Sequence, residues 1–148
     1  MKTFQNILYA TDFSDSSLSA AAYSRTLAKL TGARLQVLHV IGELADPRRS
    51  QLQPQTLCLL ERELEAQAIR EMESFCREQF GDEVEYHNEV VIGTPFQEIL
   101  KRIEQGDIDL VVVGTHGRTG IEHVIVGSTA ERLVRRSKVP VLTVREQG

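Results

Sequence analysis

Short β-branched apolar runs alternate with longer stretches of helical periodicity along this chain, and few architectures accommodate that alternation. Asn6-Ile7-Leu8-Tyr9-Ala10 reads as a first strand. A helix follows from Ser14 to Leu30, with Leu18, Ala21, Ala22, Leu27 and Leu30 as its expected apolar face. Ser14 or Asp15 suits its N-cap, and Gly32 sits where a left-handed C-cap is expected. Arg34 to Val40 is a second strand, and Ile41 to Pro54 reads as a loop. The longest helix is expected over Leu57 to Phe80, with Leu57, Leu60, Leu64, Ala68, Met72 and Phe75 at helical spacing and Gly81 at its end. A third strand falls within Glu83 to Ile92. Thr94-Pro95-Phe96-Gln97 then opens a helix as a cap, a first-turn proline and a capping box, and that helix runs to about Gln105. Asp109 to Val113 is an apolar strand buried on both faces, Ser128 to Ser137 a last helix, and Val139 to Val144 a last strand.

The order βαβαβαβαβ puts a helix in every strand-to-strand crossover. It predicts an α/β fold with a parallel, doubly wound sheet and helices on both faces. With 148 residues, 41% of them hydrophobic, one domain over residues 1–148 with one core is the expectation. No run approaches the length of a membrane span, and the start MKTFQNILYATD turns polar too early for a secretory signal. Cys58 and Cys76 fall in one helix, about 27 Å apart along its axis, so they read as reduced thiols without catalytic partners. These features point to a cytoplasmic protein. A net charge of −4 disfavours nucleic acid as the main partner.

Ligands of open parallel sheets bind beyond the carboxyl ends of the strands. After the first strand comes Thr11-Asp12-Phe13-Ser14; after the fourth comes Gly114-Thr115-His116-Gly117-Arg118-Thr119-Gly120, and later Gly127-Ser128-Thr129. Glycines let backbone N–H groups approach an anion, a helix start adds unpaired donors, and Ser128 and Thr129 add hydroxyls. This pattern suits a di- or triphosphate. The competing reading is structural: Gly114 ends a strand, Gly120 makes a turn, and Ser128 with Glu131 forms a capping box that needs no ligand. There is no Gly-Lys-Ser/Thr for a Walker A loop and no G-x-G-x-x-G in the first turn. The third strand ends in Val91-Ile92-Gly93, without a phosphoacceptor acid. His116 reads as exposed and noncatalytic and His39 as a packed strand residue, while His87 and His123 lack ligand-like spacing, so no protein-built metal site is expected.

Three segments together resemble the universal stress protein family from about residue 3 to residue 145. They are Asn6 to Asp12, Leu38-His39-Val40, and Gly114-x2-Gly117-x9-Gly127-Ser128. The last matches the G-x2-G-x9-G-(S/T) signature of the family's ATP-binding branch. The resemblance implies strand order 3-2-1-4-5 and an ATP site. Asp12, Val40 and Ala10 would stand on the adenosine side, although the family often has Pro where this chain has Ala10. Gly114 and Thr115 would approach the ribose, and Gly117, Gly127, Ser128 and Thr129 would hold the phosphates. Mg²⁺ would arrive with the triphosphate, held mainly by its oxygens. The resemblance also implies a homodimer through Val139 to Val144. A nucleotide-responsive regulatory module is the preferred reading; a slow ATPase or phosphoryl or nucleotidyl transferase, and a nucleotide-independent dimeric interaction protein, are the alternatives.

Overall fold

The structure, a computed structural model, describes residues 3–42, 51–115 and 127–146. Strand β1 (Asn6–Ala10) lies at the centre of a five-stranded parallel sheet. On one side it pairs with β2 (Arg34–Gly42), Asn6 opposite Arg34 and Ala10 opposite Leu38; β2 pairs in turn with β3 (Tyr86–Gly93). On the other side Ile7 of β1 stands opposite Leu110 of β4 (Leu110–Gly114), and β4 pairs with β5 (Val141–Val144). The order is therefore β3-β2-β1-β4-β5, and the winding reverses between β1 and β4.

Among the described residues, four helices cover the two faces. Helices α1 (Asp15–Thr31) and α2 (Pro54–Gln79) bury Ala20, Ala21, Ala28, Met72 and Phe75 against Ile7, Tyr9, Leu35, Val37 and Val112. Helices α3 (Pro95–Glu104) and α4 (Ser128–Arg136) bury Ile99, Ile103, Ala130 and Leu133 against Leu8, Leu38, Val111 and Val113. Alternate residues of the central strands thus feed opposite cores, as the period of a pleated strand requires.

Several boundaries and faces differ from expectation. β2 runs on through Ile41 and Gly42, because β3 pairs Ile92 and Gly93 with them. α2 starts at Pro54, whose missing N–H costs nothing in the first turn. The buried face of α1 is Ser16, Ser17, Ala20, Ala21, Ser24 and Ala28, whereas Leu18 is exposed and Leu30 is 78% exposed. Small residues let this helix lie close to the sheet. On α2, Ala68, Met72 and Phe75 are buried but Leu60 is exposed, so the apolar pattern continues where the helix has less of the sheet beneath it. Cys76 is buried and Cys58 exposed, so only Cys76 is a packing residue.

Ser14 caps α1 by accepting from Ser17 N–H at 3.3 Å, and Gly32 (φ 74°) closes it. The capping box expected at Thr94 does not form; Thr94 is the N-cap of α3 but its side chain makes no capping bond. β5 begins two residues later than the run Val139 to Val144 suggested. Ser137 Oγ accepts the Val139 N–H at 3.1 Å in a local turn, and Pro140 has no N–H to give a ladder.

Candidate functional site

The reversal between β1 and β4 leaves an open cleft above the carboxyl ends of the strands, with a volume of about 250 Å³. Ala10, Asp12, Val40, Gly114, Thr115, Gly127, Ser128 and Thr129 all line it. Among the expected site residues Gly117 lies outside the described residues, as do His116, Arg118, Gly120 and His123. Thr11, Ser17, Leu38, Pro95, Ile99, Val113 and Ala130 also line the cleft and were not singled out from the sequence. Thr11 follows β1, Val113 is near the end of β4 and Leu38 of β2 stands opposite Ala10, so strand order was the signal available for those. Ser17, Pro95 and Ile99 depend on how the helices lie over the strands, which periodicity does not reveal.

One wall is a tight turn after β1. Thr11 N–H donates to Leu38 O at 2.9 Å, continuing the ladder one residue past the strand. Asp12 Oδ1 then accepts Ser14 N–H at 2.9 Å, and Thr11 Oγ1 accepts Phe13 N–H at 3.0 Å. Phe13 takes a left-handed conformation at φ 64°, uncommon for a bulky residue. Its ring packs 4.5 Å from His39 and 5.4 Å from Phe75, which holds it there. His39 Nδ1 lies 2.8 Å from Thr11 O; a carbonyl only accepts, so Nδ1 carries the proton. His39 is a half-buried strand residue tied to this turn.

Beneath the turn lies a chain of buried hydroxyls. Tyr9 O–H donates to Ser17 O at 2.5 Å and touches Ser17 Oγ at 3.0 Å, and Ser17 Oγ donates to Thr11 Oγ1 at 2.5 Å. Burial pushes the Tyr9 phenol up to about 12, against the opposing pull of its bonds to Ser17 and Thr11. It stays neutral in any ordinary solution.

The opposite wall is the start of α4. Gly127 is its N-cap at φ −63° and ψ 157°, and makes no side-chain capping bond. Ser128 is the first helical residue, so it does not cap, and Glu131 instead pairs with Arg135 at 2.9 Å. The S-x-x-E capping box is therefore absent, which removes the purely structural reason for Ser128. Gly127 N–H donates to Thr115 O, closing the root of the intervening segment. That amide is therefore already paired within the protein. The first intrahelical bond is Glu131 N–H to Gly127 O at 3.0 Å. Ser128, Thr129 and Ala130 consequently have no helical acceptor for their N–H groups, and they sit at the positive end of the helix dipole.

Gly114 forms the floor, and its missing side chain has a structural cause. A Cβ there would lie 2.5 Å from Ser16 Oγ, 2.8 Å from Ser16 C and 2.9 Å from Ser17 N. Glycine lets α1 approach β4. Along the remaining side Leu38, Val40, Ile99 and Val113 present an apolar wall. The cleft thus combines a carboxylate, an apolar surface and a helix start whose first amides have no intrahelical acceptor. No cluster able to hold a metal ion occurs among the described residues. No described helix is long and apolar enough to cross a membrane.

Residues 3–145 match the model of the Universal stress protein family. Universal stress protein MJ0531 of Methanocaldococcus jannaschii is 31% identical, the match covering 97% of this chain and 83% of that protein. Universal stress protein MJ0577 of the same organism is 27% identical over 98% of this chain and 97% of its own. The structure of MJ0577 superposes with a TM-score of 0.86 at 28% identity, covering 99% of each chain. A universal stress protein solved in complex with cAMP shares the fold at a TM-score of 0.67 and 24% identity, covering 99% of this chain and 100% of that one. The fold, the strand order and a match over nearly the whole sequence agree, and the chain belongs to the universal stress protein family.

Proposed function

We propose that this chain is a cytoplasmic ATP-binding regulatory protein of the stress response, with residues 1–148 as one nucleotide-binding domain. The reading rests on one observation: Asp12 and the start of α4, whose N-cap Gly127 makes no side-chain capping bond, line one cleft with an apolar side. An adenine nucleotide has matching parts. Its base suits the surface of Ala10, Leu38, Val40 and Val113, its ribose hydroxyls suit the Asp12 carboxylate, and its phosphates suit the amides of Ser128 and Thr129. The glycine signature, shared with the family's ATP-binding branch, favours a triphosphate. Mg²⁺ would enter with it, bound chiefly by phosphate oxygens and water. The outer edge of β5, at one end of the sheet, is the surface on which a second copy would pair to form a homodimer.

The test is a proline. Gly127 already has the extended conformation that a following proline demands, and proline is favoured at a first helical position. Ser128→Pro therefore keeps α4 but deletes one amide donor. Calorimetry should show its ATP affinity reduced about tenfold while adenosine affinity holds. Ser128→Ala, which keeps the amide, should lose less. Unchanged ATP affinity in folded Ser128→Pro refutes the placement of the phosphates, and absence of ATP binding by the parent protein refutes the reading as a whole.

A further inference from the structure

The turn after β1 has a backbone conformation that its own sequence does not favour. Phe13 stands at φ 64°, where a bulky side chain is rarely found. Such a conformation persists only where its surroundings hold it, and it clusters at functional sites. Thr11 and Asp12 before it both line the cleft, and Ser14 after it opens α1. Local bonds hold part of the turn. Thr11 Oγ1 accepts the Phe13 N–H at 3.0 Å, and Asp12 Oδ1 accepts the Ser14 N–H at 2.9 Å. A second hold comes from β2. Thr11 N–H donates to Leu38 O at 2.9 Å, and the next strand residue, His39, donates Nδ1–H to Thr11 O at 2.8 Å. The same imidazole packs 4.5 Å from the Phe13 ring, and Phe75 of α2 backs that ring at 5.4 Å. One side chain therefore grips both residues that flank Asp12. His39 does not itself line the cleft. By the two-residue period of the strand it shares the α1–α2 side of the sheet with Leu35 and Val37.

We infer that His39 is a positioning residue of the cleft: it fixes the turn that carries Asp12 and so sets where that carboxylate stands for a bound nucleotide. This role rests on the nucleotide reading of the cleft, and only on Asp12 meeting the ligand, whichever of the ligand's groups it meets. Its physical basis is preorganisation. A carboxylate on a turn that must first be ordered gives up part of its binding free energy to that ordering. With Thr11 O and the Phe13 ring both held from β2, the turn is ordered before a ligand arrives.

The experiment combines substitutions in the full chain. His39→Leu keeps an apolar mass against Phe13 and removes the donor. Without ligand it should speed hydrogen exchange of the Phe13 and Ser14 amides about tenfold. By calorimetry it should weaken ATP about tenfold. His39→Asn places an amide N–H at the position of Nδ1 and should bring ATP affinity back to within about threefold of the parent protein's. In an Asp12→Ala background, His39→Leu should weaken ATP by less than about twofold more, because the group it positions is gone. A merely structural histidine lowers affinity equally in both backgrounds, and that result overturns the inference. Unchanged amide exchange, or unchanged ATP affinity, in folded His39→Leu also overturns it and leaves the site reading intact, because the parent protein still binds. His39→Gln, whose amide lies one bond further from the backbone, replaces the leucine variant if the latter fails to fold. If the parent protein binds no ATP, the site reading fails and takes this inference with it.

Discussion

Replacing Gly114 by Ala should destabilise the ligand-free protein, and the size of the effect follows from where the added methyl must go. It would meet Ser16 C at 2.8 Å and Ser17 N at 2.9 Å, both backbone atoms. Ordinary contact begins at 3.4 Å, so the start of α1 must retreat from β4 by about 0.6 Å, and no side-chain rotation offers an escape. The Ser16 Oγ–H bond to Val144 O, already 3.2 Å long, would stretch with it. Overpacking of this kind costs about 1–3 kcal/mol, and involvement of backbone places the cost near the upper end. For a chain of 148 residues, roughly 2–3 kcal/mol lowers Tm by about 5–10 °C.

Gly42→Ala is the control, because nothing lies within 4 Å of its Cβ position and its φ is not left-handed. It should change stability by less than about 0.5 kcal/mol. Both variants are compared with the parent by urea and thermal unfolding without nucleotide. If Gly114→Ala unfolds like Gly42→Ala, the packing argument is wrong, and the glycine is there only for a ligand's approach.

Asp109 Oδ2 accepts Gln5 N–H at 2.7 Å and Asn6 N–H at 2.9 Å, tying the start of β1 to the residue before β4. Asp109→Ala should cost about 1.5–3 kcal/mol in urea unfolding, with Asp109→Asn losing less. Tyr9, raised from 10.0 to about 12, holds its proton more tightly folded than unfolded. Its contribution is whole below pH 10 and disappears as pH climbs through 12, at most about 2–3 kcal/mol, so alkaline unfolding should be steeper in the parent than in Tyr9→Phe. Cys58 is exposed, whereas burial excludes Cys76 and raises its thiol to about 11; a thiol reagent at pH 8 should label one cysteine in the native protein and both in denaturant.

What could be read from sequence depended on whether hydrophobicity or size carried the information. The β-branched runs of β1 and β4 located the centre of the sheet to within a residue, because strands covered on both faces must be apolar throughout. The face of α1 was legible only in part, at Ala21 and Leu27, for the complementary reason. Its seam consists of serines and alanines, chosen for smallness at a close helix–sheet approach, while Leu18 and Leu30 face outward. An apolar-periodicity search ranks a leucine above a serine and so adds Leu18 and Leu30 to the face and passes over Ser16, Ser17 and Ser24. On α2 the leucine pattern outruns the sheet, and Leu59 and Leu60 are exposed although their spacing is helical. The cleft was easier to read. Chain reversal places it, and the described motif residues line it, Gly114 at the end of β4 and Gly127 and Ser128 at the start of α4.

The glycine signature conceals a division of labour that spacing alone cannot express. Gly114 is small so that α1 can reach β4. Gly127 has a backbone conformation any residue can adopt, and its amide is spent on Thr115 O. The Gly127 amide is thus paired within the protein. The close root contact fixes where α4 begins, and the helix geometry leaves the amides of the next residues, Ser128 and Thr129, without an intrahelical acceptor beside the cleft. On this account the Gly-Ser pair works as a spacer followed by a donor. An alanine at 127 should therefore harm binding only through its added bulk, whereas a proline at 128 removes the bond itself. The two variants separate steric access from hydrogen bonding, which the motif, read as letters, merges.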